Sequence, residues 1–150
     1  MSSRTPVTLG LGCDRGTSLD TLRQAAGSAL ALAGVEWHDV VAAASITLKA
    51  DEPGLLALAA ERGWRVAFYA PSELAAVPVP NPSATVMRHT GTPSVSEAAA
   101  LLAAGDGLHP APMDALCVEK HKWQGADGKN ATVSVARLAP VNTDSISPVL

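Results

Sequence analysis

Two stretches decide the fold: Gly10-Leu11-Gly12-Cys13-Asp14-Arg15-Gly16-Thr17-Ser18 and Lys49-Ala50-Asp51-Glu52-Pro53-Gly54-Leu55-Leu56. In each, an apolar run breaks into a polar loop that then opens helical periodicity. A strand-to-helix junction of this kind leaves the first backbone N–H groups of the helix without intrahelical partners, and they suit carboxylate or phosphate. Two such junctions in one short chain predict a ligand site along one edge of a sheet.

Working outward, Val7-Thr8-Leu9-Gly10-Leu11 reads as the first strand. A helix follows over 18–33, where Leu19, Leu22, Ala26 and Leu30 recur at helical spacing. Thr17 is its expected cap, with Asp20 three residues on, and Gly34 its stop. Residues 40–46 form a second strand, apolar enough for burial on both faces. Asp51 is expected to cap the next helix, with Pro53 in its first turn and Gly63 at its end. Residues 65–69 read as a third strand and 71–74 as a short helical start. Pro78, Pro80 and Pro82 make 77–81 an extended loop, and 85–89 is expected as a short strand. Ser94-Val95-Ser96-Glu97 has capping-box spacing and opens a helix over 98–104, stopped by Gly105. Residues 115–119 and 131–136 read as a hairpin around Gly125-Ala126-Asp127-Gly128. Periodicity ends at Ala139, so 1–138 is expected as a single domain and 139–150 as a loose tail. Strands alternating with helices predict an α/β sandwich, parallel early and closing on a hairpin.

Composition narrows the partners. Of 150 residues, 47% are hydrophobic but only 3% aromatic, so Ala, Val and Leu must fill the core. Each buried CH₂ contributes about 0.8 kcal/mol. A net charge of −3 with no basic run argues against nucleic acid. Cys13 and Cys117 form neither a metal spacing nor a disulfide framework, which fits a reduced, cytoplasmic setting. The N-terminus lacks the apolar core of a signal peptide, and no apolar run is long enough to cross a membrane.

The candidate chemistry lies at the two junctions. Gly10-x-Gly12-x-x-x-Gly16 is one residue longer than the dinucleotide fingerprint, and no Gly-Lys-Ser/Thr occurs, so the glycines read first as a tight turn. Arg15 is either a fork of donors for a carboxylate or a solvated loop charge. Cys13 precedes a helix N-terminus, where a thiol pKa falls, yet no histidine neighbours it in sequence; a small buried core residue is the simpler reading. With Asp51 as a cap, Glu52 and Lys49 face a ligand, each other or water, and Ser45 ends a buried strand where binding crevices form. Glu97 is expected to serve its capping box. His38, His89, His109 and His121 have no ligand spacing, so no metal is expected, and no Gly-x-Ser-x-Gly elbow is present. Lys120-His121-Lys122-Trp123 reads as a solvated hairpin loop or as cover for an anionic ring system.

Three blocks carry a resemblance: Gly10-x-Gly12-Cys13-x-Arg15-Gly16-Thr17-Ser18; Ala44-Ser45-Ile46-x-Leu48-Lys49-x-Asp51-Glu52-x-Gly54-Leu55; and Gly91-x-x-Ser94-Val95-x-Glu97-Ala98-Ala99-Ala100-Leu101. In this order and spacing, from Val7 to Leu138, the chain resembles the CobE / CbiG C-terminal domain family of cobalamin biosynthesis. In two-domain relatives this domain is joined to an N-terminal part in an enzyme that opens the δ-lactone of cobalt-precorrin-5A and releases acetaldehyde. A chain that starts just before its first strand resembles the free-standing form of the aerobic pathway. The resemblance implies a three-layer α/β/α sandwich with a mixed, mostly parallel sheet, and a role in assembling the corrin ring. It implies a precorrin or corrinoid ligand, no cofactor, and other cobalamin-pathway enzymes as further partners. Gly12, Cys13, Arg15, Gly16, Thr17, Ser18, Ser45, Lys49, Glu52 and Lys120 are then the expected ligand-binding residues. In a catalytic version, Glu52 or Asp51 is the base and Lys49 or Arg15 the electrophile.

Overall fold

The computed structural model describes residues 5–106 and 109–138. Three strands come first, each separated by a helix: β1 (Val7–Cys13), α1 (Leu19–Ala33), β2 (Val40–Ile46), α2 (Pro53–Arg62) and β3 (Val66–Tyr69). Three helices then follow in sequence, α3 (Pro71–Ala75), α4 (Ala84–Thr90) and α5 (Val95–Ala104). The chain closes with β4 (Leu116–Gln124) and β5 (Asn130–Arg137). The five-stranded sheet has the order β3-β2-β1-β5-β4. β1 pairs in parallel with β2, and β2 with β3, while β5 runs antiparallel between β1 and β4.

Right-handed crossovers that step the same way along a sheet place both connecting helices on one face. α1 and α2 accordingly share a face, where Leu22, Ala26, Leu55 and Leu58 meet Val7, Leu9, Leu11, Val133 and Val135. The opposite face carries α5 and α3, with Ala98, Leu101 and Leu74 against Ala44, Ile46 and Ala136. The result is the expected three-layer α/β/α sandwich. The alanines of α5 let it lie directly on β1, and Gly10 is the point of closest approach. A Cβ there would stand 1.8 Å from the Ser96 carbonyl oxygen. Thr8 Oγ1 donates to the Ala100 carbonyl at 2.8 Å, and the Ser96 and Ser134 hydroxyls share a hydrogen bond at 2.9 Å, so polar groups inside this layer are met.

Several element ends differ from expectation, each for a local reason. Ser18, not Thr17, caps α1: its Oγ accepts from the Thr21 N–H, while the Thr17 hydroxyl donates back to Asp14 O at 2.6 Å. Pro53 does stand in the first turn of α2, but Asp51 does not cap it, because its carboxylate is drawn to Arg15. The stretch expected as a strand at 85–89 is helical, since Ser83 Oγ caps the Val86 N–H and Gly91 closes the turn at φ 83°. The capping box at Ser94 does not form: its hydroxyl donates to the Glu97 carboxylate instead of accepting from the helix. β4 runs on to Gln124, so Lys120-His121-Lys122-Trp123 is strand rather than hairpin loop. Gly34 and Gly63 end their helices in the left-handed region, as expected. The tail at 139–150 lies outside the described residues. Among the described residues, no helix is long and apolar enough to cross a membrane.

Candidate functional site

The carboxyl ends of β1 and β2 and the amino end of β5 open into a cleft of about 520 Å³. Gly12 pairs with Thr132, and Thr132 with Lys122, giving a row across the sheet that α5 leaves uncovered at its first residue, Val95. Thr85, Val86 and His89 of α4 line the cleft from above the sheet, and Leu48 and Lys49 line it from the end of β2. Among the described residues, five cationic or titratable nitrogen side chains line it: Arg15, Lys49, His89, Lys120 and Lys122. Asp14 is the acidic lining residue, and its Oδ2 accepts from Asn130 N–H at 2.8 Å and Asn130 Nδ2 at 3.1 Å.

An irregularity in β4 sends the lysines to this face. Val118 pairs with Val135 and His121 with Val133, so Glu119 and Lys120 together oppose Ser134. Such a bulge adds one residue and resets the alternation beyond it. His121 and Trp123 therefore point to α1, where they meet Ser28 Oγ at 2.9 Å and Gln24 Oε1 at 3.3 Å. Lys120 and Lys122 take the cleft side. The Ser134 hydroxyl pins the bulge by donating to the Glu119 carbonyl.

The two helix-opening junctions do meet, but mainly each other. A Cβ on Gly54 would stand 2.3 Å from the Thr17 carbonyl oxygen. Glu52 is 2% exposed; its Oε1 accepts from Gly16 N–H at 3.0 Å and its Oε2 from Arg15 at 2.9 Å. Arg15 also holds Asp51 at 2.8 Å and the Leu48 carbonyl at 2.8 Å. That pairing keeps Asp51 below the usual carboxylate range and Arg15 above its own, with the hydrogen bond between them the largest cause of each shift. At α1 the anion-suited amide is taken from across the fold. Asp127 Oδ2 accepts from Ser18 N–H at 3.0 Å, and Oδ1 accepts from Thr21 Oγ1 and Lys129 N–H. The Ser18 amide is the chief cause of a fall in the Asp127 pKa to about 2.

Of the expected ligand-binding residues, Gly12, Cys13, Arg15, Lys49 and Lys120 line the cleft together. Gly16, Thr17, Ser18, Ser45 and Glu52 do not; their polar groups make the internal bonds just described, and the Ser45 hydroxyl donates to Leu11 O at 2.6 Å. The Cys13 thiol is pushed up, burial outweighing the nearby Lys49 charge, so the helix N-terminus does not activate it. His89, Asn130 and Thr132 join the site without having been singled out as ligand contacts in the sequence, and Lys122 joins it from the cluster read as a loop or as cover for an anionic ring system. For His89 the signal was lost when 85–89 read as a strand. For Lys122 it was present in the two-residue spacing from Lys120, once that segment is strand.

Comparison with known proteins places this geometry. The family model described as "Cobalamin synthesis G C-terminus" matches residues 7–136. The chain is 37% identical over 132 residues to the cobalt-precorrin-5A hydrolase of Priestia megaterium, covering 88% of this chain and 32% of that one. It is 42% identical over 101 residues to Protein CobE of Sinorhizobium sp, covering 66% of each. The chain thus spans about a third of the length of the first relative and about two thirds of the second. The crystal structure of CobE, a protein from the cobalamin (vitamin B12) biosynthetic pathway, superposes with a TM-score of 0.74 at 35% identity, over 93% of this chain and 94% of that one. With a family match running from the first strand to the last, the chain belongs to the CobE / CbiG C-terminal family of cobalamin biosynthesis proteins.

Proposed function

We propose that the cleft binds a precorrin-type tetrapyrrole intermediate and that the protein serves as its accessory or carrier. The charge of the cleft carries this reading: Lys49, Lys120 and Lys122 face it against Asp14, with Arg15, already paired to Asp51 and Glu52, at its edge, in a chain of net charge −3. A precorrin is a flat, largely apolar macrocycle fringed with acetate and propionate groups. It calls for spaced cations around an apolar surface, and Ile46, Leu48, Val86 and Val95 supply that surface. A general base must lie within hydrogen-bond reach of the proton it takes. Glu52 and Asp51 are both held by Arg15, which supports binding over turnover at those residues. A carrier passes its ligand on, so contact with other enzymes of the pathway goes with this reading, as does a reduced cytoplasmic setting for the free thiols Cys13 and Cys117.

The likeness to a cobalt-precorrin-5A hydrolase favours a second reading, a lactone-hydrolase-like step on a precorrin. There the base would come from the cleft itself, where His89 is the imidazole in the lining. Visible-absorbance and calorimetric titration with precorrin intermediates, followed by mass analysis of the recovered tetrapyrrole, separates the two. Micromolar binding with the ligand recovered unchanged is the expected result. Binding with a mass change would make the protein an enzyme, and no binding would sink both readings.

A further inference from the structure

Glu97 is a fully buried carboxylate in the first turn of α5 that takes no direct part in the cleft. A buried carboxylate is costly unless donors meet its oxygens. Here Oε1 accepts from Ser94 Oγ at 2.9 Å and from Asn81 N–H at 3.2 Å, while Oε2 accepts from Asn81 Nδ2 at 2.6 Å. Glu97 thus grips one loop residue by both its backbone and its side chain. Asn81 in turn holds the bulge: its Nδ2 also donates to Glu119 Oε1 at 2.9 Å, and its backbone carbonyl accepts from Lys120 Nζ at 2.8 Å. Lys120 and Lys122 line a second hollow of about 410 Å³ with Asn81, Pro82, Ser83 and Glu119, so Lys120 stands where the two cavities join.

We infer that Glu97 is a positioning residue which, through Asn81, fixes the Lys120 ammonium so that Lys120 and Lys122 form a carboxylate subsite separate from Arg15 and Lys49. The inference rests on the polycarboxylate-binding reading and deepens it: two cation pairs, on different elements, hold acid groups on different edges of one flat ligand. A lysine ammonium has three donors, and the Asn81 carbonyl uses one, leaving two for the ligand. Holding a long side chain in place beforehand reduces the freedom it loses on binding. Burial weakens the Lys120 ammonium, and the Glu97 charge acts against that loss.

The test is calorimetric titration with cobyrinic acid, a corrinoid whose peripheral acids are free, against its fully methylated ester. Lys120→Ala should weaken binding of the acid about tenfold; Asn81→Ala, which keeps the backbone carbonyl but removes the two Nδ2 bonds that hold it in place, should weaken it about fivefold, with little effect of either on the ester. Because Asn81 acts through Lys120, the double variant should bind within about twofold of Lys120→Ala alone, whereas Asn81→Ala and Lys49→Ala should multiply. Glu97→Gln should repeat the effect of Asn81→Ala. Asn81 is exposed, so its variant decides the matter should Glu97→Gln not fold. Multiplying effects of Asn81→Ala and Lys120→Ala, or unchanged affinity in either, would overturn the assignment and leave the binding reading standing. Failure of the unaltered protein to bind the acid would overturn the binding reading and the subsite with it.

Discussion

At Gly10 a methyl group would stand 1.8 Å from the Ser96 carbonyl oxygen and 2.7 Å from the Ala100 nitrogen, both backbone atoms that cannot swing aside. Gly10→Ala must therefore push α5 off β1, at a cost of about 3 kcal/mol, which a shift in the urea midpoint at unchanged slope would register. Asp127 makes a second prediction. Its pKa of about 2 lies below the ordinary aspartate value of 3.8, so its contribution is present above the unfolded value and is lost as pH falls from about 4 through 2. Thermal unfolding of Asp127→Asn should accordingly fall less steeply with acid over that window than the parent does. Both residues show what the sequence conveys and what it withholds. Gly10 reads in the sequence as part of a tight turn, whereas it lies inside β1 and is needed for a close approach whose partner comes 86 residues later. Asp127 reads as hairpin-loop chemistry, and nothing local says that it occupies the amide of Ser18, 109 residues away.

The elements were legible wherever local signals agreed. Gly34, Pro53 and Gly63 mark helix ends that the structure keeps, and 40–46 is strand as read. β4 was not, because tertiary pairing decided it, and α4 was not, because two local signals there compete. In β4, alternation from Val118 would place Lys120 and Lys122 on its own face, toward α1, and the bulge at Glu119 moves them to the other. In α4, a Ser83 cap and a Gly91 terminator override the β-branched Thr85 and Val86. None of its residues is buried. Ser83→Ala should thus cost about 1 kcal/mol within the helix. Hydrogen exchange should show faster amides across 84–90 while the melting temperature of the core barely changes, since local opening there need not involve the sheet. An equal loss of protection in α5 would show instead that α4 and the core unfold as one.

On the scale of the whole molecule, binding charge is concentrated rather than abundant. Among the described residues, four lysines and arginines line one cleft of a protein whose net charge is −3. Affinity for a corrinoid polyacid should therefore fall as salt rises from about 0.05 to 0.5 M, while affinity for its methyl ester stays level or strengthens slightly. A salt-independent affinity for the acid would mean that the lysines and Arg15 do not meet the fringe. The same arrangement has a bearing on self-association. β4 is an outer strand, and outer strands with open backbone groups invite pairing with another copy. Two shifts in register bend β4, and Lys120 and Lys122 set like charges along it. The side chains that would receive the ligand thus also guard a sheet edge, and removing both would be felt as a tendency to aggregate as well as a loss of affinity.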